Sequence, residues 1–281
     1  MSIRVSEDGG KTWPFHRLVR KTSSAYSDLV ITADDRIGIL YEGGYRSYSD
    51  EGIIFQRFSR EELFQCEATT PEAKMNWDIW KERFEMFNAR ARQGEIDLLL
   101  VGDSITHYWQ KNRMCATDGQ RVWDRHFSGM KAANFGIGSD RTQHVLYRML
   151  NGNLEGIQPK AVVLMIGTNN TTSQHTPDQI YLGTQAIIKV IQEKCPDTTI
   201  LLYEIFPRLR DGRRAWENGE AANRLTDALC DGRRVIRCSI NRQLLNPDGQ
   251  PDPEIFFDGI HISEKGYEIW ADDILKHYRA L

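Results

Sequence analysis

The sequence predicts an α/β protein: a three-layer α/β/α sandwich around a five-stranded parallel sheet, preceded by a short β-rich segment. Three observations carry this expectation. Beyond residue 96, short apolar runs alternate with longer segments of helical spacing, the pattern of a parallel sheet covered on both faces. Several of those runs break off at glycine followed by polar residues, as strands do when they empty into functional loops. Before residue 65 the texture differs, with short strands and turns and no long helical stretch.

In the first part, "DLVITADDRIGILYEGG" alternates apolar and polar residues around the turn "ADDR", and "GIIFQRFS" supplies another strand. The expected division is residues 1–65 for this β-rich piece and 66–281 for the α/β domain. From Thr70 the pattern changes. Trp77, Trp80, Phe84 and Phe87 recur at steps of three and four, with Pro71 near the start and Gly94 at the close, so one aromatic-faced helix is expected there. "IDLLLVG", "AANFG", "AVVLMIG", "TILLYEIF" and "RVIRCSI" are the strand candidates. Between them, "DQIYLGTQAIIKVIQEKC" reads as a helix capped by Thr176, begun by Pro177 and stopped by Pro196. A last helix starts near Ser263 and turns Tyr267, Trp270, Ala271 and Ile274 inward.

Composition removes several classes of function. A hydrophobic content of 40% supports a sizeable core, and a net charge of −3 without any Lys/Arg run gives no field for nucleic acid. "AVVLMIG" is far shorter than the roughly 20 residues of a membrane span. The opening "MSIRVSEDGGKTW" shows no secretion signal, which leaves the compartment open. Cys66, Cys115, Cys195, Cys230 and Cys238 are odd in number and scattered, and are expected to be free. His16, His107, His126, His144, His175 and His277 show neither HExxH nor another paired ligand spacing, so no metal and no cofactor is expected. They are expected at the surface or behind the site.

Ligands of an open parallel sheet gather outside the carboxyl ends of its strands. Those ends here are "GDS" (102–104), "GIGSD" (136–140), "GTNN" (167–170) and "EIFP" (204–207), with "DGIH" (258–261) after the last strand. Ser104 by itself reads as a helix N-cap or as a nucleophile. "DGIH" supplies what a nucleophile needs: His261 as the base, and Asp258 three residues earlier to hold its Nδ1. Ester cleavage places negative charge on the former carbonyl oxygen. Asn169 offers a side-chain donor for it, and the glycine-flanked backbone of "GIGSD" offers another. "GDSIT" is not the GxSxG elbow, and "GIGSDR" has Arg141 where a dinucleotide loop has its third glycine. Tyr108, Trp109 and Trp216 are candidates for a pocket wall or for the core.

These blocks resemble those of the SGNH (GDSL-type) hydrolases. "NFGIGSDRTQHVLYRMLNGNLEGIQPKAVVLMIGTNN" is especially similar to the branch that holds the catalytic subunits of brain platelet-activating-factor acetylhydrolase and their bacterial esterase relatives. The resemblance covers about residues 71–281 and implies metal-free, serine-type ester hydrolysis. It makes Ser104 the nucleophile, His261 the general base and then acid, Asp258 its orienting partner, and Asn169 with the Ser139 backbone N–H the oxyanion hole. Ser139 stands where the family commonly has glycine, so a side chain there narrows or re-aims the pocket.

Ser6, Asp8, Gly10, Thr12 and Trp13 fit S-x-D-x-G-x-T-W, which resembles the Asp-box of sialidases. The strands that follow resemble the last propeller blade of a bacterial exo-sialidase, with Tyr26 at its nucleophilic tyrosine and Glu42 at the acid that steadies an arginine. The remaining sialidase groups would lie upstream of Met1, so this chain alone is not expected to cleave sialosides, and a full fusion would be exported. The joint expectation is an esterase that removes short acyl groups, foremost acetyl, from carbohydrates such as O-acetylated sialic acid. A short-chain or aryl esterase without sugar preference and a catalytically silent glycan-binding module are the alternatives. The expected partners are a small-molecule or glycan ester and another copy of the chain, associated through the N-terminal β segment.

Overall fold

Leu98, Leu99, Leu100 and Val101 are all fully buried, yet Leu99 and Val101 belong to one hydrophobic core and Leu98 and Leu100 to another. Successive strand side chains point to opposite faces, so a strand apolar at every position must be covered on both. The computed structural model describes all residues except 8, 11, 12, 14, 21, 45–50, 112–118 and 173–174. The chain divides into two compact units, Met1–Thr70 and Pro71–Leu281.

In the first unit, β1 (Ser2–Val5) and β2 (Phe15–Leu18) form an antiparallel pair. β3 (Ser24–Ile31), β4 (Ile37–Gly43) and β5 (Gly52–Phe58) form an antiparallel sheet in that order. The short helix α1 (Arg60–Leu63) follows, its N-terminus closed by a reciprocal Ser59–Glu62 capping box. Ile3, Ile39, Tyr41, Phe58 and Leu63 make a small core, while Val30, Leu40, Ile53 and Phe55 remain exposed.

The second unit runs α2 (Asp78–Arg92), β6 (Leu98–Gly102), α3 (Ser104–His107), α4 (Gln120–His126), β7 (Ala132–Gly136), α5 (Thr142–Leu150) and β8 (Ala161–Met165). It continues with α6 (Pro177–Lys194), β9 (Thr199–Tyr203), α7 (Gly212–Thr226), β10 (Val235–Cys238) and α8 (Glu264–Arg279). The five strands pair in parallel in the order β10-β9-β8-β6-β7. Side chains of α2, α5 and α6 pack on one face, and those of α4 and α8 on the other. This is the three-layer α/β arrangement expected from the sequence. The chain leaves β6 toward one edge, returns across it, and continues from β8 toward the other. The point of reversal therefore falls between β6 and β8, where ligands of such sheets sit.

One expectation needs correction, and one open alternative is decided. The helix expected from Thr70 begins at Asp78, because the preceding backbone bonds elsewhere: the Glu72 N–H donates to the Gln143 carbonyl at 3.1 Å, and residues 74–77 turn. Of the two places open to Trp109, it takes the core. It is fully buried, with its ring 4.5 Å from that of Tyr267 and 5.2 Å from that of Trp270.

Gly102 closes β6 where no side chain fits: a Cβ would lie 2.2 Å from Thr106 Oγ1 and 2.3 Å from the Met165 carbonyl oxygen. That close approach seats α3 directly on the strand end. Gly102→Ala is therefore expected to lower stability by about 1–3 kcal/mol, the usual cost of overpacking, read as a lower urea midpoint at unchanged slope.

Candidate active site

The cap of α3 is Asp103, not Ser104. Asp103 Oδ1 accepts the Ile105 N–H at 3.0 Å, and its carbonyl accepts that of His107 at 2.8 Å. Ser104 occupies the first helical position with its hydroxyl left for another use. His261 Nε2 stands 2.8 Å from Ser104 Oγ, and His261 Nδ1 stands 2.7 Å from Asp258 Oδ2. The structure thus joins residues 157 positions apart into one continuous hydrogen-bonded line.

The turn that carries Asp258 and His261 is fixed from within and from outside. Asp258 Oδ1 accepts the N–H groups of Ile260 at 3.0 Å and His261 at 2.8 Å. Burial works to raise the Asp258 pKa, but the hydrogen bonds from His261 and Ile260 outweigh it and hold the carboxyl below its usual value. Between them Gly259 takes a φ of +83°, and its carbonyl accepts the N–H groups of Leu209 at 2.8 Å and Arg210 at 2.9 Å. The Tyr108 ring lies 4.6 Å from the imidazole, and the Phe257 ring runs nearly parallel to it at 6.1 Å.

The other side of the site is the loop after β7. Gly138 cannot serve as an anion donor, since its N–H is taken by His107 Nδ1 at 3.2 Å. Burial, with Arg83 and Arg148 nearby, pushes the His107 pKa down to about 3, so the ring is neutral and its Nδ1 accepts. The N–H of Ser139 has no acceptor among the described residues, and its carbonyl receives Lys74 Nζ at 2.6 Å. Ser139 holds a φ of +60°, a left-handed conformation that costs a residue with a Cβ on the order of 1–2 kcal/mol. Its exposed side chain is the one departure from the glycine pattern, and the surrounding bonds keep the strained turn in place. On the neighbouring strand end, Asn169 Nδ2 donates to the Asp140 carbonyl at 2.9 Å, while Asn170 is consumed by Thr142.

Behind this loop lies a buried charge network. The Asp140 carboxylate accepts Trp80 Nε1 at 2.8 Å and Arg148 Nε at 2.9 Å, and Arg148 continues to Asn153 Oδ1 at 2.9 Å. Asp140 and Arg148 are both fully buried, and burial acts to raise the one pKa and lower the other. Arg208, also buried, donates to the Thr168 carbonyl and Thr171 Oγ1 at 3.0 Å each and pairs with Asp211. His107 takes one of the two places expected for it, behind the site, whereas the sequence reading missed Arg148 and Arg208. Arg148 left a trace, because it interrupts the apolar stripe formed by Val145, Leu146 and Met149. Elsewhere, on β10 and α8, Cys238, Asp273 and His277 bring potential ligand atoms within 4.8 Å of one another, a grouping that no sequence spacing announced.

The fold is a five-stranded parallel α/β sheet that carries a hydroxyl, an imidazole and a carboxylate in one hydrogen-bonded line beyond its strand ends. Residues 100–269 match the family model described as GDSL-like Lipase/Acylhydrolase family. Platelet-activating factor acetylhydrolase IB subunit alpha1 of Homo sapiens is 32% identical over 189 residues, which span 67% of this chain and 78% of that protein. Among solved structures, a GDSL-like lipase from Bacteroides thetaiotaomicron superposes with a TM-score of 0.57 at 18% identity, over 71% of this chain and 98% of that one. Est24, a carbohydrate acetylesterase from Sinorhizobium meliloti, superposes with a TM-score of 0.50 at 19% identity, over 66% of this chain and 99% of that one. The chain belongs to the GDSL-like lipase/acylhydrolase family and is a hydrolytic enzyme.

Two outcomes follow from the buried charges. Arg148→Met removes the nearer of the two cations at the Asp140 carboxylate, Lys74 Nζ staying 3.8 Å away, and is expected to cost about 3–5 kcal/mol in urea unfolding. Burial also raises the Asp103 pKa, from the usual 3.8 to about 7. The unfolded chain releases that proton first, so folding is penalised increasingly as pH rises through this window and fully above it. Asp103→Asn is expected to match the wild-type midpoint near pH 4 and exceed it at pH 8, as measured by denaturation across the range.

Proposed function

We propose that the protein is a serine carboxylester hydrolase in which Ser104, His261 and Asp258 act as a catalytic triad. The single observation that supports it most is the unbroken line from Asp258 through His261 to Ser104, with gaps of 2.7 and 2.8 Å. Ser104 Oγ attacks the acyl carbonyl while His261 Nε2 takes its proton, and Asp258 holds the Nδ1–H and offsets the imidazolium charge. The Ser139 N–H and the Asn169 amide meet the oxyanion. Collapse of the tetrahedral intermediate expels the alcohol, which takes the proton from His261. Water then attacks the acyl-enzyme with the same imidazole as base, releasing the carboxylic acid and restoring Ser104.

The substrate we propose is a short acyl ester, foremost acetyl, of a carbohydrate such as O-acetylated sialic acid. One similar structure is that of a carbohydrate acetylesterase, which supports the sugar side of this reading. The N-terminal unit supports the sialic acid side as a sialidase-derived piece. Ser6 Oγ accepts the Gly10 N–H at 2.8 Å, and Trp13 Nε1 donates to the Gly10 carbonyl at 3.1 Å, bonds internal to the Asp-box-like loop. Asp8 and Thr12 of that motif lie outside the described residues. Tyr26, at a bulge in β3 with a φ of +38°, and Glu42 line one open pocket of about 360 Å³.

Ser104→Ala is expected to abolish p-nitrophenyl acetate hydrolysis in a protein that still folds, and Asp258→Asn to lower kcat by on the order of 10⁴. Asn169→Ala is expected to lower kcat by about 10² to 10³, the usual loss for one oxyanion donor. Near-normal turnover by the Ser104 variant would overturn the assignment. Release of acetate from acetylated sialic acid, set against acetylated xylan, tests the sugar.

A further inference from the structure

We propose that Cys238, Asp273 and His277 form a binding site for a Zn²⁺ ion, separate from the triad and independent of the esterase reading above. Cys238 is the last residue of β10, and Asp273 and His277 lie on α8. Their ligand atoms, a sulfur, a carboxylate oxygen and an imidazole nitrogen, all lie within 4.8 Å of one another, and this is the one such grouping among the described residues. α8 starts just after the His261 turn, and Asp273 lies roughly 13 Å further along its axis.

Two of the three ligands are set by the helix itself. Asp273 and His277 stand one turn apart, with His277 Nε2 3.6 Å from Asp273 Oδ2. That gap is too long for a hydrogen bond. It fits a chelate, because tetrahedral ligands at zinc bond lengths stand about 3.3–3.6 Å from each other. The sulfur has to close by no more than roughly 1 Å to reach the same spacing, a movement within the range of side-chain rotation. Its own bond, to the Ile236 carbonyl of the same strand, is a weak contact at 3.7 Å. The carboxylate is held from behind, since the Tyr203 hydroxyl donates to Asp273 Oδ2 at 2.7 Å, and such an outer hydrogen bond is what orients a metal-binding carboxylate.

The donor set selects the ion. Sulfur and imidazole suit Zn²⁺, whereas Mg²⁺ and Ca²⁺ take shells of oxygen. On coordination the Cys238 thiol gives its proton to solvent, and the resulting thiolate and the Asp273 carboxylate together match a divalent charge. Arg237, beside Cys238 in the chain, is already engaged by Glu204 and Asp227. Cys238 is 1% exposed, while the Asp273 and His277 side chains are 13% and 24% exposed, so the site has a dry floor and an opening on the helix side. The ion enters there, and water supplies the fourth ligand. β10 is an edge strand with β9 as its one partner in the sheet, so an ion at this place staples the sheet edge to α8.

The test titrates Co²⁺, a spectroscopic stand-in for Zn²⁺, into the full chain after treatment with a chelator and under reducing conditions. About one equivalent is expected to bind with a sulfur-to-metal charge-transfer band in the near ultraviolet, and added Zn²⁺ is expected to displace it. Cys238→Ala should abolish the band. Asp273→Asn and His277→Ala should each weaken binding by about tenfold or more, since loss of even an outer partner costs that much. Cys195→Ala, which removes a buried thiol at the end of α6, should leave band and affinity unchanged. Saturating Zn²⁺ should raise the urea midpoint of the wild type and leave that of His277→Ala where it was. No band, a band that survives Cys238→Ala, or an affinity unchanged in His277→Ala overturns the site. His277 is partly exposed, so its variant decides the matter where Cys238→Ala fails to fold. Binding without a rise in the midpoint overturns the stapling role.

Discussion

The site depends on one buried carboxylate. Asp140 is fully enclosed, and an unpaired charge in such a place costs several kcal/mol. That cost is offset by Trp80 from α2 and Arg148 from α5, which both bond to it, and by Lys74 at 3.8 Å. Its backbone neighbour is Ser139, and its own carbonyl receives Asn169 from the end of β8. Helix packing on one face of the sheet and donor placement at its edge are therefore a single condition. Neither Trp80 nor Arg148 needs to touch a substrate for its loss to be felt at the reacting atoms.

Around that carboxylate, each loop is held by a group that does no chemistry. His107 occupies the Gly138 N–H, and Arg83 holds the Gly136 carbonyl at 2.9 and 3.1 Å. Arg208 steadies the loop after β8, and the Gly259 carbonyl ties the His261 turn to the β9–α7 connection. Such supports matter because an oxyanion donor acts only if it is already aimed when charge develops. The left-handed serine at 139 shows the same economy, since its strain persists where neighbouring bonds over-determine the turn.

Much of this was readable in the chain. The strand runs were unambiguous because their apolar residues are continuous, and continuity is what burial on both faces demands. Ser104 and Asn169 were visible because each follows a recognisable strand run, and Asp258 and His261 because they stand together in one short block. What escaped is what depends on distant partners. The late start of α2 depends on a bond to Gln143, and the role of His107 on the amide of a residue 31 positions away. Periodicity reports which face of an element is apolar, not which polar atom across the sheet will claim a backbone group. Arg148 is the instructive middle case, because a charge inside an apolar stripe announces a buried partner without naming it.

The span from Ser104 to His261 has a consequence in time. β6 is the first strand of the sheet to be synthesised, and the histidine that engages its serine arrives only after the last strand, on the turn before α8. A ribosome-bound chain can therefore build most of the sheet before this hydrogen bond exists. The contact forms only when the turn before α8 reaches the end of β6, so it reports on the docking of the last part of the chain.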